Sequence, residues 1–507
     1  MAVSLWLALG TVLVFVLLTV ARPKQRIPLP PGPPSDPFIG HIRHIPPHDQ
    51  GSKFHEWAKK FGDIISVRVF SRTMIVLDKV SAAIDLLDKR SAIYSDRPSF
   101  PVYIMMGWVP NIVNMTYGNQ FRKHRKIFHS NFTREACVQW RETQTVMARR
   151  LVKMILNDDK NYNRYINWFA SALTIKIAYG MDIVSEDDEY VKIAEESADV
   201  LNNSGSPGGT PIDLMPFLQH MPSWFPGTHY ANFARKSRPF VKRMYNVPFD
   251  RVRRDMANGM AGPSVANTEI TRLMSTNSMT DEELEDVKGA AVIIFVAGAD
   301  TTWSTMLVFI QCMLLHPEVQ KRAQEELDRV VGHDRLPEFS DYDSLPYLEC
   351  VLREVLRWYP VAPLGVPHRA MQDDVYKGMF IPKGATVIAN LRGMSLDEDV
   401  YKNPKEFNPS RFMAEPEGNG EPFFESGFGF GRRICPGRHL AYNSLWIAIA
   451  TLLSTATISK ALDKDGQEID VAPEYLFGIV SRPKEFPCRI QSRVDDAMRL
   501  LFPENPE

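Results

Sequence analysis

The chain has 507 residues, with 59 Lys plus Arg against 60 Asp plus Glu and 44% hydrophobic residues. A net charge of -1 with no local basic patch argues against a nucleic-acid partner, and the length fits one large domain or about three of ~150 residues. Five scattered cysteines (Cys137, Cys312, Cys350, Cys435, Cys488) contain no CxxC pair, which argues against a zinc finger or a disulfide framework and points to a reducing compartment.

From Ala2 to Ala21 there is no charged residue, which suits the ~20 apolar residues of a bilayer-spanning helix. A cleaved secretory signal is the alternative, but Arg22, Lys24 and Arg26 follow the apolar run and no basic residue precedes it. The positive-inside rule then keeps the following chain in the cytosol. Sequons at Asn114, Asn131 and Asn202 would carry glycan only if the body were lumenal. The prolines of Ile27 to Pro34 predict a stiff extended segment that sets the body off the membrane. The expected organisation is an anchor at 1–21, a basic and Pro-rich hinge at 22–34, and one domain at 35–507.

Between about Phe54 and Val330 most segments carry helical periodicity, while strand-like stretches such as Ile64 to Phe70 and Thr73 to Leu77 are short. The body is expected to be mainly α with a minor β-sheet region. In Phe121-Arg-Lys-His-Arg125 the first and last side chains share one helix face. Thr280 and Glu283 match a capping box that opens a helix running to about Leu315, where Pro317 forces a new start. Between Gly289 and Leu315 the sole charge is Asp300. A second membrane span is one reading; Thr301, Thr302, Ser304, Thr305 and Gln311 favour a buried central helix whose polar cluster faces something inside. Gly298 and the threonines could open the backbone ladder there.

Glu354-Val-Leu-Arg357 puts a carboxylate and a guanidinium on one helix face, a spacing common in surface ion pairs. From Val361 to Lys383, and again from Ser454, short β-like pieces are separated by Pro and Gly, and Gly418 to Glu421 reads as a loop. The stretch Phe428 to Ala441 surrounds Cys435 with glycines, and Pro436 suits the first turn of a following helix. A thiolate at a helix N-terminus is electrostatically favoured. Gly429, Gly431 and Gly437 let the backbone pass close to a large flat ligand and aim N–H groups at the sulfur.

Phe428, Gly431, Arg433, Cys435 and Gly437 spell Phe-x-x-Gly-x-Arg-x-Cys-x-Gly, which resembles the haem-binding signature of the cytochrome P450 family. The resemblance implies the fold of that family with an N-terminal transmembrane helix, Cys435 as the axial thiolate of haem iron, Phe428 packed beside it and Arg433 on a haem propionate. It makes Glu354, Arg357 and Arg411, the last within Phe407-Asn-Pro-Ser-Arg-Phe412, a buried structural triad. It makes Ala297 to Thr302 an oxygen-activation motif, with Thr301 beside bound dioxygen and Asp300 relaying protons. Phe121 stands where the family has a tryptophan and cannot supply an indole N–H, which leaves Arg125, with His124, for a propionate. His368 resembles a further propionate contact.

The implied activity is haem-thiolate monooxygenation, in which two electrons from NADPH reduce dioxygen, one oxygen leaves as water and the other enters an unactivated carbon. The chain carries no flavin or dinucleotide fingerprint, so a separate NADPH-cytochrome P450 reductase on the same endoplasmic reticulum membrane is expected, with cytochrome b5 as a further donor. Family topology points to substrate contacts near Phe295 and Ala299, Val361 and Leu364, and Leu476 and Phe477. These apolar stretches favour a lipophilic substrate, terpenoid as first choice. Pro216 to Gly227 and Val247 to Asp250 resemble fungal members of the O-methylsterigmatocystin oxidoreductase type and point to specialised fungal metabolism. Two rivals stand beside this reading: a haem-thiolate enzyme that rearranges a peroxide, against which Asp300 and Thr301 count, and a thiolate-haem sensor without turnover.

Overall fold

The computed structural model describes residues 27–205 and 210–501, so the expected anchor and the basic residues after it lie outside the described residues. The described chain is mainly helical with small sheets. The largest sheet joins β1 (Ile64–Val69) and β2 (Arg72–Leu77) in a hairpin whose two-residue turn puts Phe70 at a φ of 53°. β2 also pairs in parallel with a strand at Thr386–Ala389, which pairs antiparallel with His368–Arg369. The short β pieces expected after Val361 and after Ser454 are present, the latter as Ala456–Lys460 paired with Cys488–Ser492.

Ile27 to Pro34 runs without regular structure along this sheet region. Prolines remove donors but leave carbonyls, and these are used: Ser66 N–H donates to Pro31 O at 2.9 Å and Phe380 N–H to Pro28 O at 2.7 Å. A Cβ on Gly32 would lie 2.2 Å from the Ser66 carbonyl oxygen, so only glycine allows this approach.

The long helix forms as expected over Asp281–Leu315, with the Thr280 side chain accepting from Glu283 N–H and three acidic residues in the first turn. It ends where Pro317 opens the next helix. Among the described residues it alone is long and apolar enough to cross a membrane, and it lies buried in the main hydrophobic core. It crosses the helix Tyr162–Tyr179, where a Cβ on Gly298 would come within 2.8 Å of the Thr174 methyl. Gly298 therefore serves close helix packing, and the helix stays α-helical through the expected gap.

Candidate functional site: a thiolate cradle beside an unbalanced cation cluster

Two 3-10 turns, Glu425–Phe428 and Gly431–Arg433, lead into the cysteine, with Gly429 at a φ of 81° and Gly431 at 53°. A Cβ at Gly431 would meet the Leu87 carbonyl oxygen at 2.2 Å. Cys435 N–H donates to Phe428 O at 2.8 Å, which closes the loop on itself. The following helix starts at Arg438, two residues later than a proline at the first turn would place it, and Pro436 sits in the turn ahead. Burial pushes the Cys435 thiol up, opposed by backbone N–H groups of Gly437 and Arg438 and by the charges of Arg125 and Arg438. The sulfur is thus a desolvated group ringed by donors and cations, which suits an anionic, metal-bound thiolate.

Around it stands a set of cations, Arg97 and Arg433 buried and Arg125 half-buried. Arg433 donates to Ser95 O at 2.7 Å, Ile112 O at 3.0 Å and Met115 O at 2.7 Å. Arg97 donates to Val113 O, Val366 O and Pro367 O. Arg125 donates to Ile434 O at 2.6 Å. Among the described residues none of the three is hydrogen-bonded or ion-paired to a carboxylate; Asp96, which attracts Arg97 and Arg433, is itself taken by Arg369 and by Tyr117 N–H. Burial pushes Arg433 down to about 10 and Arg97 well below its usual range, the latter also repelled by Arg433. His368 lies among them, its Nδ1–H directed at Tyr94 O at 2.7 Å, and burial and Arg97 push it well below the ordinary histidine range. Buried cations without counter-charge are costly. A ligand carrying two carboxylates would balance them, and haem, with its two propionates, fits this donor set together with the cysteine sulfur. Arg97 has no counterpart in the sequence reading. His124 is turned elsewhere: its Nε2 meets Asp286 on the central helix at 3.0 Å, so it joins two helices.

Glu354, Arg357 and Arg411 come together in one buried network. Glu354 takes Arg357 through both oxygens, at 2.7 and 2.8 Å, and Arg411 at 3.0 Å. Arg411 also meets Glu421 at 2.7 Å, from the stretch read as a plain loop, so two arginines face two glutamates. The remaining guanidinium N–H groups reach carbonyls of Ser395, Pro404, Lys402 and Glu406.

On the central helix, Ala297 is exposed and Thr301 half-buried in the stretch 289–314, which is otherwise mostly buried, so this stripe borders open space. Thr301 Oγ1 donates to Ala297 O at 2.8 Å. Phe295 and Ala299 lie about half a turn round from that stripe and are buried, Phe295 edge-on to Tyr179. Both therefore pack the core, and the open positions are Ala297 and Thr301. Asp300 is buried and paired with Arg482 at 3.2 Å, whose guanidinium lies 4.0 Å from the Trp303 ring. Burial raises Asp300 to about 6, with Arg482 the main opposing influence.

The C-terminal hairpin joins Tyr475–Leu476 to Arg482–Pro483. Strand alternation sends Tyr475 inward, stacked on Tyr359 at 3.6 Å with its hydroxyl on Gln311 at 2.9 Å. Leu476 consequently stands out, 47% exposed, and Phe477, past the end of the strand, is 37% exposed beside His48. Val361 O accepts Ser481 N–H at 2.7 Å, and Leu364 packs against the cluster that contains Phe54 and Trp57.

A family model described as Cytochrome P450 matches residues 30–487. The chain is 36% identical over 490 residues to cytochrome P450 monooxygenase 136 of Postia placenta, covering 95% of this chain and 92% of that protein. It is 37% identical over 503 residues to cytochrome P450 monooxygenase claR of Ampulloclitocybe clavipes, with 97% and 91% covered. It is 35% identical over 508 residues to cytochrome P450 monooxygenase ple1 of Rhodocybe pseudopiperita, with 98% and 95% covered. The fold and site define a haem-thiolate oxidoreductase, and the chain belongs to the cytochrome P450 family. It is a monooxygenase whose cofactor is thiolate-bound haem and whose co-substrate is dioxygen.

Proposed function

We propose that the chain hydroxylates or otherwise oxidises a small lipophilic molecule, a terpenoid in fungal secondary metabolism, with electrons passed from NADPH by a membrane-bound reductase and cytochrome b5. The observation that carries this reading is the open stripe of Ala297 and Thr301 in the mostly buried apolar part of the helix, next to buried Asp300. When bound, haem supplies the activation of dioxygen and the insertion of one oxygen atom into carbon. The protein's share is to hold and to proton-feed that site. Cys435 Sγ would hold the haem iron, and Arg97, Arg125, Arg433 and His368 would take the propionates. Proximity of carboxylates would pull His368 back toward its charged form, since its Nδ1–H is already used and Nε2 must carry a proton to donate. Thr301 Oγ1 would pass a proton to the reacting oxygen, and an Asp300 carboxyl with a pKa of about 6 would reload it.

A single-pass endoplasmic reticulum anchor with a cytosolic body accounts for the basic residues after the apolar run. It also accords with the sequon at Asn131, whose buried amide donates to Ile127 O and Glu269 and offers no place for glycan. The test is reconstitution of the full chain with a fungal reductase and NADPH against a panel of sesquiterpenes, fatty acids and polyketides. Oxygenated terpenoid product with Thr301→Ala shifting electrons to hydrogen peroxide supports the reading. Turnover of a lipid peroxide without NADPH, or no turnover with haem bound, would favour one of the two rivals.

A further inference from the structure

Arg432 and Arg433 adjoin in the chain, and each guanidinium rests on an aromatic ring. Arg432 is exposed, donates to the Tyr117 hydroxyl at 2.6 Å and lies 5.4 Å from that ring's centroid. Arg433 is buried, and its central carbon lies only 3.8 Å from the centroid of Phe121. Tyr117 and Phe121 are four residues apart with centroids at 5.5 Å, so the two arginines are matched to two consecutive rings.

Phe121 is 3% exposed and has no hydrogen-bond donor. What it offers is a ring face, which is electron-rich and attracts a cation most strongly where water is excluded. Arg433 needs that help. Its nitrogens donate to three carbonyls of the stretch 95–115, and no carboxylate pairs with it among the described residues. Burial without counter-charge would drive such a side chain outward. The ring closes the side the carbonyls leave open.

We propose that Phe121 is a positioning residue for the cofactor's acidic edge: its ring face holds Arg433 desolvated between the stretch 95–115 and the Cys435 loop. This rests on haem being the group that the cation cluster receives. The arginine is thereby presented in place before the cofactor arrives, and an aromatic face is the property required at this position. Apolar bulk alone would fill the space without attracting the charge.

The test replaces Phe121 in the full-length protein with 4-fluoro-, 3,5-difluoro- and pentafluorophenylalanine, which drain the ring face in steps at nearly constant shape, and with Tyr and Leu. The rate of haem loss to excess apomyoglobin is followed by absorption. The expected result is a graded rise reaching about tenfold for the pentafluoro ring, with Phe121→Tyr near the unsubstituted rate and Phe121→Leu at least as fast as the pentafluoro form. A flat fluorinated series would overturn the proposal, whether Phe121→Leu is fast, which would mean packing alone, or unchanged. If the unsubstituted protein purifies folded but binds no haem at all, the haem assignment fails and this inference falls with it.

Discussion

Two buried clusters of arginines in this molecule have opposite electrostatics. Around Glu354 two arginines meet two glutamates, and nearly every remaining N–H finds a carbonyl. Around Cys435, Arg97, Arg125 and Arg433 have carbonyls but, among the described residues, no paired acid, and burial drives all three down in basicity. The first cluster is finished by the chain itself and serves folding. The second is complete only with an anion from outside, and it is therefore the one that marks a binding site. Burial and arginine content alone would not separate them; the balance of charge does.

The largest effect is expected in the balanced cluster. Glu354→Ala leaves two buried guanidinium groups short of a partner and is expected to cost about 3–5 kcal/mol, read as a lowered urea midpoint or as failure to accumulate folded protein. A cost under about 1 kcal/mol would mean that the network is not structural. Arg125→Leu sharpens the contrast, because it removes a cation that has no acidic partner among the described residues. It is expected to leave the haem-free urea midpoint nearly unchanged while raising the haem dissociation constant about tenfold or more, the loss of one charge-assisted bond. Equal loss of stability with and without haem would erase the distinction between the clusters.

A smaller effect is expected at Asp300. Its folded pKa of about 6 lies above the ordinary carboxylate value, so its protonated form is favoured on folding. The stability it contributes is fully present below about pH 4 and is lost as pH rises through 6. Asp300→Asn should accordingly stabilise the fold more at pH 7 than at pH 4, and product formed per NADPH should lose an ionisation near pH 6. Arg482→Leu removes the attraction that opposes burial, so that ionisation should move upward. An ionisation that stays in place would show that Arg482 does not act on Asp300.

How much of this was legible in the sequence follows from distance along the chain. The central helix was legible at both ends because a capping threonine and a proline act locally. Cys435 and its glycines were legible as a compact motif, and Glu354 with Arg357 as a helical pair, though Arg411 needed the family resemblance. Glu421 was not, because no regular element fixes its side chain toward Arg411, 10 residues earlier, and Arg482 was not, since it finds Asp300 by tertiary packing across 182 residues. Arg97 was missed for the same reason. The helix face was misjudged at Phe295 and Ala299 because a helix apolar all round carries no phase that tells core from cavity. At the hairpin, the alternation that turns Tyr475 in and Leu476 out depends on a register that two residues do not reveal.

The central claim is that Cys435 binds haem iron as a thiolate beside a cation cluster that takes the propionates. It is tested most directly by the absorption spectrum of the reduced, full-length protein with carbon monoxide, compared with that of Cys435→Ala. A main haem band shifted strongly to longer wavelength in the unsubstituted protein, and absent from the variant, is the predicted result. Haem bound by an intact protein without that shift, or with the shift retained in Cys435→Ala, would contradict it.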